Sequence, residues 1–500
     1  MAGQPAIKSN SDPYRALGLR PFINCCSVRT IHGGSLMLPS VRTAVAAASQ
    51  CFVNLDELME AAGARIAELT GAEWGIVTCG SAAALTLATA ACVAGNDPAA
   101  MLRLPFTEGM PNVVVAVRGH RFAYDMAIRM VGTRIVECED ESALAVALQD
   151  GDVAMVSVLG KAEERGAMRL ERIVELARPR GIPVLVDAAS ELIERPPPWL
   201  ARGADLVVYS GGKFLRGPQT SGLLLGNKAL VQAAWRNASP HHSLGRPMKV
   251  SKEDVIGVLA ALEHWFGERD DAAEVRRWHD DLAAIARQLA DLDGVETAVL
   301  PPPFAQRVPT LEVRWELDRY GLNSEALRQL LLAGEPRIML DDIEATAQSV
   351  QIDPFNLQPG EATMVGRALC GALRGAAYPT KTTPAVPGMD ISGQWDFTVR
   401  FLRGSRRLRV ILEQRGNDVS GRHDSDGFSG TVTGLICAAT VRLQLAARFE
   451  GNAIVYSCEG NAAPDAMQGN AVFGATSASH AGPFNLRQHG AGTWEARRPA

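Results

Sequence analysis

Apolar and polar positions alternate with different periods along the chain, and the changes of period divide it. From Asp56 to Leu69 the spacing is helical and stops at Thr70-Gly71. Trp74 to Thr78 reads as a short strand, and Ser81 opens an alanine-rich helix whose mild apolar run extends from Gly80 to Gly95. Strands follow at Asn112–Val117, Arg134–Cys138, Val153–Val158, Ile182–Val186, Asp205–Tyr209 and Gly222–Gly226. Helices are expected between them at Phe122–Val131, Glu141–Leu148 and Leu170–Pro179. Several of these strands are continuous apolar runs, as strands covered on both faces require. The alternation predicts an α/β domain with a mostly parallel sheet over residues 51–250. Ahead of it, residues 1–50 form an arm with an extended piece at Pro21-Phe22-Ile23-Asn24, a Gly33-Gly34-Ser35 loop and a helix opened by Pro39. Lys252 to Leu292 predicts a long helix with breaks that leads into a small α/β lobe, the two together spanning 251–377.

A proline-rich stretch, Tyr378 to Gly388, reads as a linker, placed at 378–389. Beyond it, over 390–500, the period becomes two: Trp395, Phe397, Val399 and Phe401 alternate with polar residues, as do Leu408, Val410 and Leu412, and Val441, Leu443 and Leu445. Arg415-Gly416-Asn417-Asp418 and Glu459-Gly460-Asn461 read as turns between such runs. This region predicts an antiparallel β-barrel or sandwich with Trp395 and Trp494 in its core. It contains no lysine, and twelve arginines against ten acids.

Composition narrows the function classes. The net charge of −5 lacks the basic footprint of a nucleic-acid binder, so no nucleic-acid partner is expected. No run of about 18 uncharged apolar residues suggests a membrane span, and no signal-peptide pattern opens the chain. Nine cysteines without a CxxC pair fit reduced thiols in a cytoplasmic protein and make a cysteine-built metal site improbable; no metal is expected.

Four short stretches carry the candidate chemistry, each at the carboxyl end of a predicted parallel strand, where open α/β sheets bind ligands. Cys79-Gly80-Ser81-Ala82-Ala83-Ala84 offers backbone N–H groups and a hydroxyl to a phosphate; the alternative is Ser81 as an ordinary helix cap. Arg118-Gly119-His120 offers a histidine to stack on a flat ring, or a surface-loop histidine. In Val184-Leu185-Val186-Asp187-Ala188-Ala189 an aspartate ends a buried strand and needs a cationic partner, which a protonated pyridine nitrogen would supply; a capping or salt-bridged aspartate is the alternative. Ser210-Gly211-Gly212-Lys213-Phe214-Leu215-Arg216-Gly217-Pro218-Gln219-Thr220 presents a lysine in a glycine turn. It is not a Walker A loop, which would need glycine at Val207 and Ser or Thr at Phe214. A partly desolvated lysine can form a Schiff base. Together the four are the parts needed to hold pyridoxal 5′-phosphate, with Asp187 on the ring nitrogen and Lys213 on the aldehyde.

With Asn24 and Gly33-Gly34-Ser35, Leu69-Thr70-Gly71-Ala72-Glu73 and Gly203-Ala204-Asp205-Leu206-Val207, these stretches resemble the fold-type-I pyridoxal-phosphate enzymes over about residues 12–375, and more closely the selenocysteine-synthase-like branch that includes D-glucosaminate-6-phosphate ammonia-lyase-type proteins. The resemblance implies a two-lobed subunit in a homodimer or larger assembly. It implies Ser81, Ala82 and Ser210 as phosphate contacts, His120 as the ring stacker, and Gln219 and Thr220 reaching the phosphate of a neighbouring subunit. The Pro336-Arg337-Ile338 segment resembles the family's Pro-x-Ile segment, but no arginine follows the isoleucine. Arg29, Arg216 and Arg337 are the candidates for the substrate carboxylate. The net acidic chain argues against an aminoacyl-tRNA substrate.

The expected activity is a lyase on a small amino acid or amino-sugar acid, with Cα deprotonation by Lys213 and β-elimination. Racemisation, retro-aldol cleavage and class-V-like aminotransfer are the alternatives. A non-catalytic protein that binds a ligand or partner through its β-module is a different class of reading. His241-His242 reads as a solvated loop pair, Asn237-Ala238-Ser239 as an unused glycosylation triplet, and Asp341-Asp342 as a loop or cap.

Overall fold

The computed structural model describes residues 12–302, 308–375, 389–425, 427–477 and 489–499. Most of the predicted linker lies outside them. Two compact units emerge, one of Met1–Arg118 with Ala127–Pro379, the other of Gly119–Met126 with Thr380–Ala500.

In the first unit the arm supplies β1 (Ile23–Cys25). The large lobe is built on β2 (Trp74–Thr78), β3 (Val113–Val117), β4 (Arg134–Cys138), β5 (Val153–Leu159), β6 (Val184–Asp187), β7 (Leu206–Ser210) and β8 (Gly222–Gly226). They form one seven-stranded sheet in the order β2-β8-β7-β6-β5-β3-β4. Only β8 runs against its neighbours, pairing antiparallel with both β7 and β2. Its connection from β7, residues 211–221, is too short for a helical crossover, so the chain returns as a long hairpin. That hairpin carries Lys213 and leaves it at the carboxyl end of the sheet.

Local signals explain most helix ends. Asn54 caps the helix Leu55–Thr70 by accepting from Asp56 and Glu57 N–H, and Gly71, with φ of 76°, ends it. Pro39 opens Pro39–Ala48 as its first residue. The helix expected at Phe122–Val131 is only Asp125–Arg129. There the Asp125 carboxylate accepts from Phe122 N–H, fixing a turn before the helix begins. Strand β6 starts later than expected, at Val184, and extends through Asp187. Lys252–Glu263 and Asp271–Leu289 are separate helices, broken by a wide π-turn at His264–Glu268. The helices Pro98–Arg103 and Lys228–Arg236 lay outside the expected set.

The small lobe adds β9 (Val295–Leu300), β10 (Thr310–Trp315), β11 (Ile338–Thr346) and β12 (Ser349–Ile352). Its sheet order is β1-β11-β12-β10-β9. The arm is thus sewn into this lobe: Ile23 pairs with Ile338 and Cys25 with Leu340, in parallel. Asp341 lies in β11 rather than in a loop or cap.

The second unit is a closed eight-stranded antiparallel barrel: β13 (Gly393–Arg400), β14 (Ser405–Arg415), β15 (Asp418–Ser425), β16 (Phe428–Cys437), β17 (Thr440–Phe449), β18 (Asn452–Ala463), β19 (Ala466–Ser477) and β20 (Ala491–Arg497). Each strand pairs with the next, and β20 pairs back on β13. The period-two residues fill its interior. Trp395 and Trp494 are buried there, with Phe397 stacked on Trp494 at 5.3 Å. Glu459-Gly460-Asn461 is not a turn. It lies inside β18, where Gly460 faces Gly469 across the ladder. A Cβ at either glycine would overlap the opposite strand's backbone, so glycine serves close approach here. The segment Gly119–Met126 packs with the barrel: Arg121 bonds to Asp125 and to Glu450.

Candidate active site

The carboxyl ends of β6 and β7 bring two ionisable groups into electrostatic reach. Asp187 closes β6 and is 7% exposed. Its Oδ1 accepts from Ala189 N–H at 2.9 Å. Burial raises its pKa, while that bond and the charges of Lys213 and Lys161 oppose the rise. Lys213 follows β7 by three residues. Loss of solvation lowers its pKa, the Asp187 charge opposes, and Lys161 adds to the lowering. An amine with weakened proton affinity is what imine formation needs.

The lysine turn is held by the arm. Ser35 N–H bonds to Gly212 O at 3.1 Å, and Ser35 Oγ donates to Lys213 O at 2.6 Å. Leu38 N–H bonds to Arg216 O. Gly211 and Gly212 lie so close to Ser221 and Gln219 that a Cβ on either would overlap them. Gly33-Gly34-Ser35 reads from sequence as a loop and as part of the family resemblance, but nothing in it signals that the Ser35 hydroxyl holds the lysine turn.

At the end of β2 the chain turns through Gly80, with φ of 87°, into the helix Ser81–Ala94. Gly80 is the cap residue, and no side chain caps the helix, so Ser81 does not serve as its N-cap. The first-turn N–H groups are therefore available to an anion. Gly222 at the start of β8 packs against the backbone of Gly80 and Ser81. Ser210 ends β7. Thr220 donates to Asp254 at 3.2 Å, and both Gln219 and Thr220 are exposed. His120 lies three residues past β3, is 3% exposed, and falls in the segment that packs with the barrel.

The three candidate arginines have partners within the chain. Arg29 pairs with Asp341 at 2.5 Å. Arg216 donates to Phe355 O at 3.2 Å, lies 4.6 Å over the Phe355 ring and stands 3.7 Å from Glu274. Arg337 donates to Arg20 O and lies over Phe22. Of two other readings, the one for His241 is corrected and the one for Asn237 agrees with the structure. His242 is exposed, as read, but His241 is only partly so: it bonds to Asp56 at 3.0 Å and packs edge-on against Trp235. Asn237 is fully buried and donates to Gly95 O and Ala233 O, so it does not present a glycosylation acceptor.

Sequence reading also passed over Lys161 and Glu191. Glu191 is 7% exposed, accepts from Trp199 Nε1 at 2.6 Å, and is pushed up to about 8 by burial against that bond. Among the described residues, no group of three His, Cys, Asp or Glu side chains could hold a metal. No helix there is long and apolar enough to cross a membrane.

The residues fit pyridoxal 5′-phosphate. The buried Asp187 carboxylate suits a ring cation, the desolvated amine of Lys213 suits an aldehyde, and an uncapped helix start suits a phosphate.

Comparison with known proteins agrees. The aminotransferase class-V family matches residues 45–308. D-glucosaminate-6-phosphate ammonia lyase of Salmonella typhimurium is 31% identical over 70% of this chain and 95% of its own. The 5′-C-glycyluridine monooxygenase-decarboxylase of a Streptomyces species is 32% identical over 72% of this chain and 92% of its own. An L-seryl-tRNA(Sec) selenium transferase of Moorella thermoacetica is 25% identical over 72% and 83%. A solved structure of D-glucosaminate-6-phosphate ammonia-lyase covers 73% of this chain and 99% of its own, with a TM-score of 0.66 at 29% identity. With the fold, the fit of the site and these relatives in agreement, the chain belongs to the aminotransferase class-V family and is a fold-type-I, pyridoxal-phosphate-dependent enzyme.

Proposed function

We propose that the chain is a lyase acting on a small amino acid or amino-sugar acid, removing the Cα proton and expelling a group from Cβ. The carrying observation is the buried Asp187 at the end of β6, within electrostatic reach of Lys213, whose pKa loss of solvation lowers. Bound there, pyridoxal 5′-phosphate supplies an electron sink for charge left at Cα. Lys213 Nζ takes the Cα proton. Asp187 would hold the positive charge of the ring nitrogen. Ser81, Ala82 and Ser210 would hold the phosphate, His120 would be the ring stacker that the family resemblance implies, and Gln219 and Thr220 would serve the phosphate of a second subunit. The β-substituent leaves with its bonding electrons, and hydrolysis then gives an α-keto acid and ammonia. The ammonia lyase relative supports this choice.

The monooxygenase-decarboxylase at 32% identity keeps a second reading in play, cleavage of the Cα–carboxyl bond. Which bond breaks depends on which is held perpendicular to the ring, hence on where the substrate carboxylate is gripped. Arg29, Arg216 and Arg337 are the proposed grips once their present partners yield.

The proposal includes a homodimer or larger assembly in the cytoplasm. Exposed apolar side chains around the arm support association: Ile31, Leu36, Val53 and Phe52, the last fully exposed. All nine cysteines are free thiols, consistent with a reducing compartment.

Turnover of hydroxy amino acids and 2-amino sugar acids in D2O tests the reading. Keto acid and ammonia in equal amounts support the lyase. Carbon dioxide release, or deuterated substrate without keto acid, contradicts it.

A further inference from the structure

Lys161 stands in the short 3-10 turn Gly160–Arg165, directly after β5. Strand β5 pairs in parallel with β6, and Leu159 lies opposite Asp187 in the register. Asp187 in turn lies opposite Val208 on β7, whose end leads into the Lys213 turn. Lys161, Asp187 and Lys213 thus occupy the same edge of three adjacent strands.

The turn that bears Lys161 is fixed on both sides. Before it, Gly160 packs against Glu191 and Trp199 so closely that a Cβ would overlap the Glu191 carboxylate. After it, Glu163 is 1% exposed and accepts from Leu170 N–H at 3.0 Å, Arg202 at 2.7 Å and Arg169 at 3.0 Å. A lysine in an ordinary exposed turn needs neither anchor.

We propose that Lys161 is a positioning residue for Lys213, a second amine that shares the buried Asp187 carboxylate with it and so frees Lys213 from being the sole counter-ion of that carboxylate. The inference rests on the assignment of Lys213 and Asp187 to the cofactor site. A buried carboxylate with one cationic neighbour locks that neighbour as an ammonium ion, which is neither nucleophile nor base. A second cation relieves the lock. The charged groups acting on Lys213 are Asp187, from the end of β6, and Lys161, from the turn after β5; both lysines also act on Asp187.

The test reads the two amines separately. Full-length protein stripped of cofactor is labelled with trace acetic anhydride across a pH series, and the Lys213 and Lys161 peptides are quantified by mass spectrometry. In the wild type, Lys213 should become reactive at lower pH than Lys161; the reverse order overturns the proposal without any variant. In Lys161→Met the Lys213 midpoint should rise by about one pH unit, the effect of losing one nearby charge, which is roughly tenfold in reactivity at fixed pH. Lys161→Arg should restore it. An unchanged midpoint in Lys161→Met, or no rescue by arginine, also overturns it. Borohydride trapping of added cofactor on wild-type Lys213 is run in parallel. Trapping there with an unchanged midpoint rejects only the role of Lys161, whereas no trapping on Lys213 rejects the site assignment itself.

Discussion

A Cβ built on Gly34 would stand 2.5 Å from the carbonyl oxygen of Gly212, so the arm and the lysine-bearing turn meet through bare backbone. Gly34 also has φ of 71°, a left-handed conformation that side chains disfavour. Gly34→Ala should therefore displace the Lys213 turn as well as strain the arm. The expected result is at least about a tenfold loss of cofactor affinity, equivalent to about 1.4 kcal/mol. Titration of the apoprotein with pyridoxal 5′-phosphate, followed by fluorescence quenching, measures it. Ser35→Ala, which removes one hydroxyl bond to Lys213 O, should show a smaller loss.

Asp187→Asn preserves shape and removes the charge. The turnover rate should fall by about 100-fold or more, the usual scale for deleting a preorganised electrostatic partner of the reacting group. Thermal stability at neutral pH should fall, because the amines of Lys213 and Lys161 lose the buried carboxylate that acts on them. Rate assays and calorimetry on one preparation separate the two effects. A variant with full turnover would rule Asp187 out of the site.

Glu191 makes stability depend on pH in a defined direction. Its folded pKa of about 8 lies above the ordinary carboxylate value, so the folded state holds a proton that the unfolded state has released. Stability is then greatest below the unfolded pKa and falls as pH rises toward about 8. Glu191→Gln keeps an acceptor for Trp199 Nε1 and has no proton to lose. Its melting temperature should exceed that of the wild type at pH 8 and approach it at pH 5. Parallel curves across that range would show that Glu191 does not titrate as described.

In the barrel, Gly460 and Gly469 face each other, and Trp494 Nε1 donates to Glu459 O across them. Gly469→Ala would press a methyl group into the opposing backbone. The expected cost is about 1–3 kcal/mol, the usual range for overpacking. A red shift in tryptophan emission at a lowered unfolding midpoint would report it, and an unchanged midpoint would contradict the packing described.

Much of this site was legible because its key residues end apolar runs. Val184-Leu185-Val186 marks Asp187 as a strand end, and Val207-Val208-Tyr209 leads straight into the Lys213 turn. Period two gave the barrel and its two tryptophans. Glu459-Gly460-Asn461 misled because a glycine used for close approach has the same local signature as a turn glycine. Lys161 stayed hidden because its relation to Asp187 is a register between strands, which no local pattern carries. His241 was misread for the same reason: its partner, Asp56, lies 185 residues away in the chain. The arm's strand was visible as an extended piece, but its pairing with β11 joins segments more than 300 residues apart.

The most direct test of the central claim is borohydride reduction of the holoenzyme, followed by peptide mapping for pyridoxyl-lysine. The account predicts one modified peptide, that of Lys213, and its absence in Lys213→Ala. A pyridoxyl group on Lys161 or any other lysine, or protein that takes up no cofactor at all, would contradict it.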